Sequence, residues 1–112
     1  MPDDVKTVSL ECLSNDEKII KIVFNKSLTP TKSTVYLIAA VRKCVKHGFY
    51  KIIIDMERIE SPSNHFIAAL IESTSRVRRE DGDIKVINLS DDTKQVMAAF
   101  NAYFYLSIQS EK

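Results

Sequence analysis

Apolar and polar residues alternate from Val5 to Leu13, with Val8, Leu10 and Cys12 on one side and Ser9 and Glu11 on the other. A period of two predicts a half-buried strand. Ser14-Asn15-Asp16-Glu17 is a polar turn. Lys18 to Phe24 forms a second strand with Ile20, Ile22 and Phe24 on one face, so the two pair as a hairpin. After a loop from Asn25 to Thr29 the period changes. Thr29-Pro30 starts a helix, because threonine caps and proline lacks only an N–H that would be unpaired there. Leu37, Val41, Cys44 and Val45 form its inner stripe, with Val35 and Ile38 beside them. It ends at His47-Gly48, where glycine takes the left-handed position and histidine suits the helix dipole.

The next stretch organises the rest. Ile52, Ile53 and Ile54 make a continuous branched apolar run, which suits a central strand buried on both faces. Asp55 ends the run. Ser61-Pro62-Ser63-Asn64 reads as a helix start, with Ser61 or Ser63 as cap and Pro62 at the first helical position. The helix that follows turns Ile67, Leu70, Ile71, Thr74 and Val77 inward and ends in the cluster Arg76, Arg78 and Arg79, a solvated face favoured by the dipole. Asp81-Gly82 turns the chain, and Ile84, Val86, Ile87 and Leu89 mark a fourth strand. Ser90 caps a third helix, with Asp91 and Asp92 in its first turn and Val96, Met97 and Phe100 inward. Tyr103 to Ile108 is a short last strand or a packed tail. The order β-β-α-β-α-β-α, with this closing segment, predicts an α/β fold: a mixed four- to five-stranded sheet with helices after strands 2, 3 and 4. Sites in such sheets collect beyond the carboxyl ends of the strands, which singles out the loop after Asp55.

With 112 residues the chain reads as a single domain spanning 1–112. A formal net charge of +1 gives no bulk attraction to nucleic acid. No apolar run approaches the roughly 20 residues that span a bilayer, and the acidic start MPDDVKTVSLECL is unlike a signal peptide, so direct membrane insertion is not expected and a cytoplasmic location is. Cys12 and Cys44 form no metal-ligand spacing and read as small core residues.

Catalytic signatures are missing from the sequence: there is no P-loop, GxSxG, HExxH or dinucleotide glycine motif. Ser63 and His65, two apart on one helix turn, do not face each other as nucleophile and base. Asp55 at the end of a central strand is similar to a phospho-accepting aspartate. The acids that would hold Mg²⁺ at the end of the first strand are missing. The expectation is a non-enzyme with no metal and no cofactor.

Lys51 to Leu70 and the stretch RVRREDGDIKVINLSDDTKQVM from Arg76 to Met97 resemble the STAS domain of bacterial anti-sigma factor antagonists. Asp55, Gly82, the strand Ile84 to Leu89 and Ser90 fall where that family's pattern places an acidic or amide strand end, a glycine turn, a strand and a helix cap. The resemblance spans roughly residues 5 to 108. The signature turn departs from it. The family's Asp falls on Ser63, its phosphorylated Ser or Thr on Asn64, the next Ser on His65 and the Gly on Phe66. Thr29 replaces the Asp of a Leu-Asp pair before the first helix. The resemblance implies a signalling module that binds an anti-sigma factor or related serine kinase by partner switching. Its surface would comprise Asn25, Lys26, Thr29, Ser61, Ser63, Asn64 and His65, with Ser63 and Ser61 as displaced phosphorylation candidates. A STAS accessory subunit of a membrane transporter is the alternative. A receiver-like or hydrolase domain using Asp55 or Ser63 is a third.

Overall fold

The computed structural model describes residues 7–99 and 107–108. Strands β1 (Val8–Ser14) and β2 (Ile19–Phe24) form the expected antiparallel hairpin. Helix α1 (Pro30–Lys46), strand β3 (Lys51–Asp55), helix α2 (Asn64–Arg78), strand β4 (Asp83–Ile87), helix α3 (Asp91–Ala99) and strand β5 (Ser107–Ile108) follow. Among the described residues the sheet has five strands in the order β1-β2-β3-β4-β5, and all pairs after the hairpin are parallel. The rest of the Tyr103–Ile108 segment, and Phe100, lie outside the described residues.

One rule of handedness decides the layering. The parallel strands advance across the sheet in chain order, and the right-handed crossovers that such strand–helix–strand units adopt put the described helices on one face. Ile20, Ile22, Ile52, Ile54, Ile84 and Val86 point to that face and are buried against Leu37, Val41 and Cys44 of α1, Phe66, Ile67 and Leu70 of α2, and Met97 of α3. Each such aliphatic side chain contributes about 1.5–3 kcal/mol on burial.

The same rule corrects the expectation for the isoleucine run. β3 is central, but Ile53 points to the face without helices and is only half-buried, while Lys51 and Lys85 beside it on that face are exposed. The edge position of β1 corrects a second expectation. Cys44 is buried and Cys12 is exposed, because Cys12 lies where the β1–β2 register slips, between Cys12 and Ser14. Val35 is 59% exposed, not inward. It stands two residues from Leu37, about 200° around the helix, and so on the far side from the sheet.

The ends of the elements follow the local chemistry. Thr29 caps α1, its hydroxyl accepting from the Lys32 N–H at 3.3 Å, and Pro30 takes the first turn. His47 closes α1 and Gly48 follows at φ +83°. At the Asp81-Gly82 turn the left-handed residue is Asp81, at φ 64°. Gly82 is required for another reason: a Cβ there would meet the Tyr50 carbonyl oxygen at 1.9 Å.

Candidate functional site

Ser63 is the N-cap of α2. Its hydroxyl accepts from the Phe66 N–H at 3.1 Å, and its carbonyl accepts the first helical bond, from the Ile67 N–H. Pro62 therefore precedes the cap instead of opening the helix, and it is buried. Asn64 and His65 occupy the first two helical positions and are exposed. Their N–H groups are among those that no helical carbonyl can reach.

The loop from Met56 to Pro62 is fixed from below. Met56 is fully buried, and its N–H donates to the Ile87 carbonyl at 2.9 Å, which extends the β3–β4 ladder by one bond. Ile59 is also buried, and its N–H donates back to the Met56 carbonyl at 3.0 Å. With these two side chains inserted in the core, Glu57, Arg58, Glu60 and Ser61 are left facing solvent. The start of α3 holds the loop from the side. The buried Thr93 hydroxyl donates to the Ile59 carbonyl at 3.2 Å, and the Ser90 hydroxyl lies 3.4 Å from the Glu60 carbonyl. Ser90 also caps α3 as expected, accepting from the Thr93 N–H at 3.1 Å.

Across from this loop lies the start of α1. Ser27, Leu28, Pro30 and Ser33 on one side, with Arg58, Glu60 and Ser61 on the other, line a shallow cleft of about 180 Å³. The cleft thus brings the end of the loop before α1 next to the loop that follows β3. Of the residues singled out from sequence, Ser61 lines this cleft, while Lys26, Thr29, Asn64 and His65 are exposed but are not among its lining residues. Asn25 and Ser63 are half-buried and have structural work. The Asn25 side-chain amide donates to the Ser9 hydroxyl at 2.6 Å, which ties the loop to β1. Thr29 serves as the α1 cap, so its hydroxyl is engaged although exposed.

Sequence reasoning missed Arg58 and Glu60, and it missed the anchors Met56, Ile59 and Thr93. The spacing of Met56 and Ile59, two apolar residues inside a polar loop, was the available signal.

Asp55 ends β3 and is 9% exposed. One carboxylate oxygen accepts from the Glu57 N–H at 3.0 Å and from the Asn88 side-chain amide at 3.1 Å. The other lies 3.8 Å from the Lys21 ammonium. Asn88 reaches it from a left-handed turn at φ 60°. A carboxylate so engaged joins the chain segments that leave β3 and β4. Among the described residues, no group of three or more potential metal ligands comes together.

At the far end of α2, the Arg78 guanidinium pairs with Asp83 at 2.8 Å, and Arg76 and Arg79 are exposed as expected. Among the described residues no helix is long and apolar enough to cross a membrane.

No family model matches the chain, and no curated protein matches it. Solved structures do. The crystal structure of a proposed anti-sigma factor antagonist of Thermotoga maritima, TM1081, aligns with a TM-score of 0.80 at 12% identity, covering 94% of this chain and 86% of that one. The NMR structure of TM1081 aligns with a TM-score of 0.75 at 12% identity, covering 98% of this chain and 86% of that one. With its hairpin, parallel strands and one-sided helices, this chain shares the STAS-like α/β fold of that proposed anti-sigma factor antagonist.

Proposed function

We propose that this protein is a non-catalytic binding module of a partner-switching pathway, and that the surface around the Ser27–Ser61 cleft receives an anti-sigma factor or related serine kinase. The observation that carries this reading is the cleft that Ser27, Leu28 and Pro30 form with Arg58, Glu60 and Ser61, beyond the carboxyl end of β3. A loop already tied down by the Met56, Ile59 and Thr93 hydrogen bonds keeps the ordering cost of association small. Lys26, Arg58 and Glu60 mix charges there, so the patch suits a polar protein surface better than a bulk anion.

The turn has lost the usual acceptor, since Asn64 carries no hydroxyl. Ser61 takes over as the phosphorylated residue in this proposal. It is exposed at the cleft, whereas the Ser63 hydroxyl is half-buried in its capping bond. A phosphate on Ser61 adds about −1.5 to −2 charges at pH 7 beside Glu60, in the middle of the contact. That repels a partner shaped for the uncharged corner.

The test is incubation with the cognate anti-sigma kinase and ATP, followed by peptide mapping by mass spectrometry and a binding assay. The expected result is one phosphate on Ser61 and at least a tenfold loss of affinity. If Ser61 and Ser63 both stay unmodified, the displaced switch is wrong. If the unmodified protein fails to bind any anti-sigma factor of its own cell, the module reading is wrong as well.

A further inference from the structure

A second surface lies on the other flank of the molecule, along the outer edge of β1. The inner edge of β1 is used by β2. The Asn25 N–H donates to the Thr7 carbonyl at 2.9 Å, and the register places Val8 opposite Phe24. In an antiparallel pair, the hydrogen-bonded residues alternate. Thr7, Ser9 and Glu11 therefore aim their backbone groups at β2, and Val8, Leu10 and Cys12 aim theirs outward. Among the described residues, no strand pairs with that outer edge. Edge strands are commonly protected by lysine or proline. β1, with the sequence VSLECLS, has neither, and its one charge is Glu11.

Beside this edge runs an apolar groove of about 350 Å³ between Val8 and Leu10 on β1 and Tyr36, Ala39 and Lys43 on α1. Tyr36 is 40% exposed and its neighbour Val35 59%. The electrostatics of the helix are one-sided. α1 contains Lys32, Arg42, Lys43 and Lys46, all exposed, and no aspartate or glutamate.

We infer that the β1 edge and the adjoining flank of α1 form a docking groove for an extended acidic–apolar segment of a partner protein, which adds to the sheet as a further strand. Main-chain bonds to Val8, Leu10 and Cys12 supply the pairing, and the side chains facing the helix supply the selectivity. On that face, apolar residues enter the groove against Tyr36 and Ala39, and acids meet Lys43 and its neighbours. On the opposite face the added strand lies next to Glu11, which disfavours acids there. A second copy of this chain is the wrong occupant. Pairing β1 with β1 would set the α1 helices side by side, cations facing cations, with no acid on either to offset them.

The test uses a synthetic ten-residue peptide that alternates Thr with Val or Glu, followed by fluorescence anisotropy and amide exchange on the whole protein. The peptide is expected to bind and to slow exchange at Val8, Leu10 and Cys12. Replacing its Glu residues by Lys, or N-methylating alternate residues, should each weaken binding at least tenfold. The surface variant Lys43→Glu should do the same, with an unchanged melting temperature showing that it is folded. Absence of binding, equal affinity for the Lys peptide, or protection elsewhere would overturn the proposal. So would a stable dimer whose β1 amides are already protected without peptide.

Discussion

Ser63→Ala removes one hydroxyl from the corner on which the binding surface is built. That hydroxyl accepts from the Phe66 N–H at 3.1 Å and satisfies a donor that the helix itself cannot. Phe66 is fully buried, so its N–H has little access to replacement water. Losing an N-cap oxygen costs about 0.5–2 kcal/mol, and the buried setting favours the upper half, about 1–2 kcal/mol. For a domain of this size that lowers the melting temperature by about 4 °C per kcal/mol. The assay is urea unfolding followed by circular dichroism, with a lower midpoint and an unchanged slope. Two companions separate the cap from mere side-chain loss. Ser63→Asp keeps an acceptor at the positive end of α2 and should stay within about 0.5 kcal/mol of the parent. Ser61→Ala, at an exposed position, should do likewise. If Ser63→Ala were silent, or Ser63→Asp as damaging as Ser63→Ala, the capping account of this turn would be refuted.

Gly82→Ala should destabilise by about 2 kcal/mol or more, measured by the same unfolding assay, because its Cβ would sit 1.9 Å from the Tyr50 carbonyl oxygen and backbone must move. Ile54→Ala should cost about 2–5 kcal/mol and Ile53→Ala clearly less, since only Ile54 lies under the helices; equal costs would argue for a sheet covered on both faces. Burial raises the Cys44 thiol pKa from 9.0 to about 11. The unfolded chain then ionises first as pH rises, so stability is complete below about pH 9 and falls between 9 and 11, on the order of 2 kcal/mol. Cys44→Ala should lack that component, and a thiol reagent at neutral pH should label Cys12 well before Cys44.

Where a local bond decides the structure, the residues announced it. Thr29-Pro30 and Ser90 are read as caps because each supplies an oxygen to a helix start, and Gly48 as a helix end because it tolerates a positive φ; for α2 the residues leave Ser61 and Ser63 open, and the structure selects Ser63, with Pro62 before the cap. The larger misreadings are those where distant packing decides. Three isoleucines in a row cannot say that all helices share one face, and so Ile53 was expected to be covered. Cys12 alternates correctly with its neighbours, but its exposure depends on an edge position and a register slip. At the site, the serines and the Lys26–Thr29 loop were visible as polar punctuation. The cleft was not, because it depends on Met56 and Ile59 holding the loop down and on Thr93, thirty-four residues beyond Ile59, holding it from the side.

The central claim is that the cleft-side corner is where another protein sits. Nuclear magnetic resonance of the labelled chain, titrated with its cognate anti-sigma factor, tests it most directly. The account predicts that shifts cluster at Lys26–Thr29 and Arg58–His65 and that the unmodified protein is the form that binds. Saturating shifts confined to the opposite end of the sheet, around Asp81–Lys85, with this corner unchanged, would contradict it.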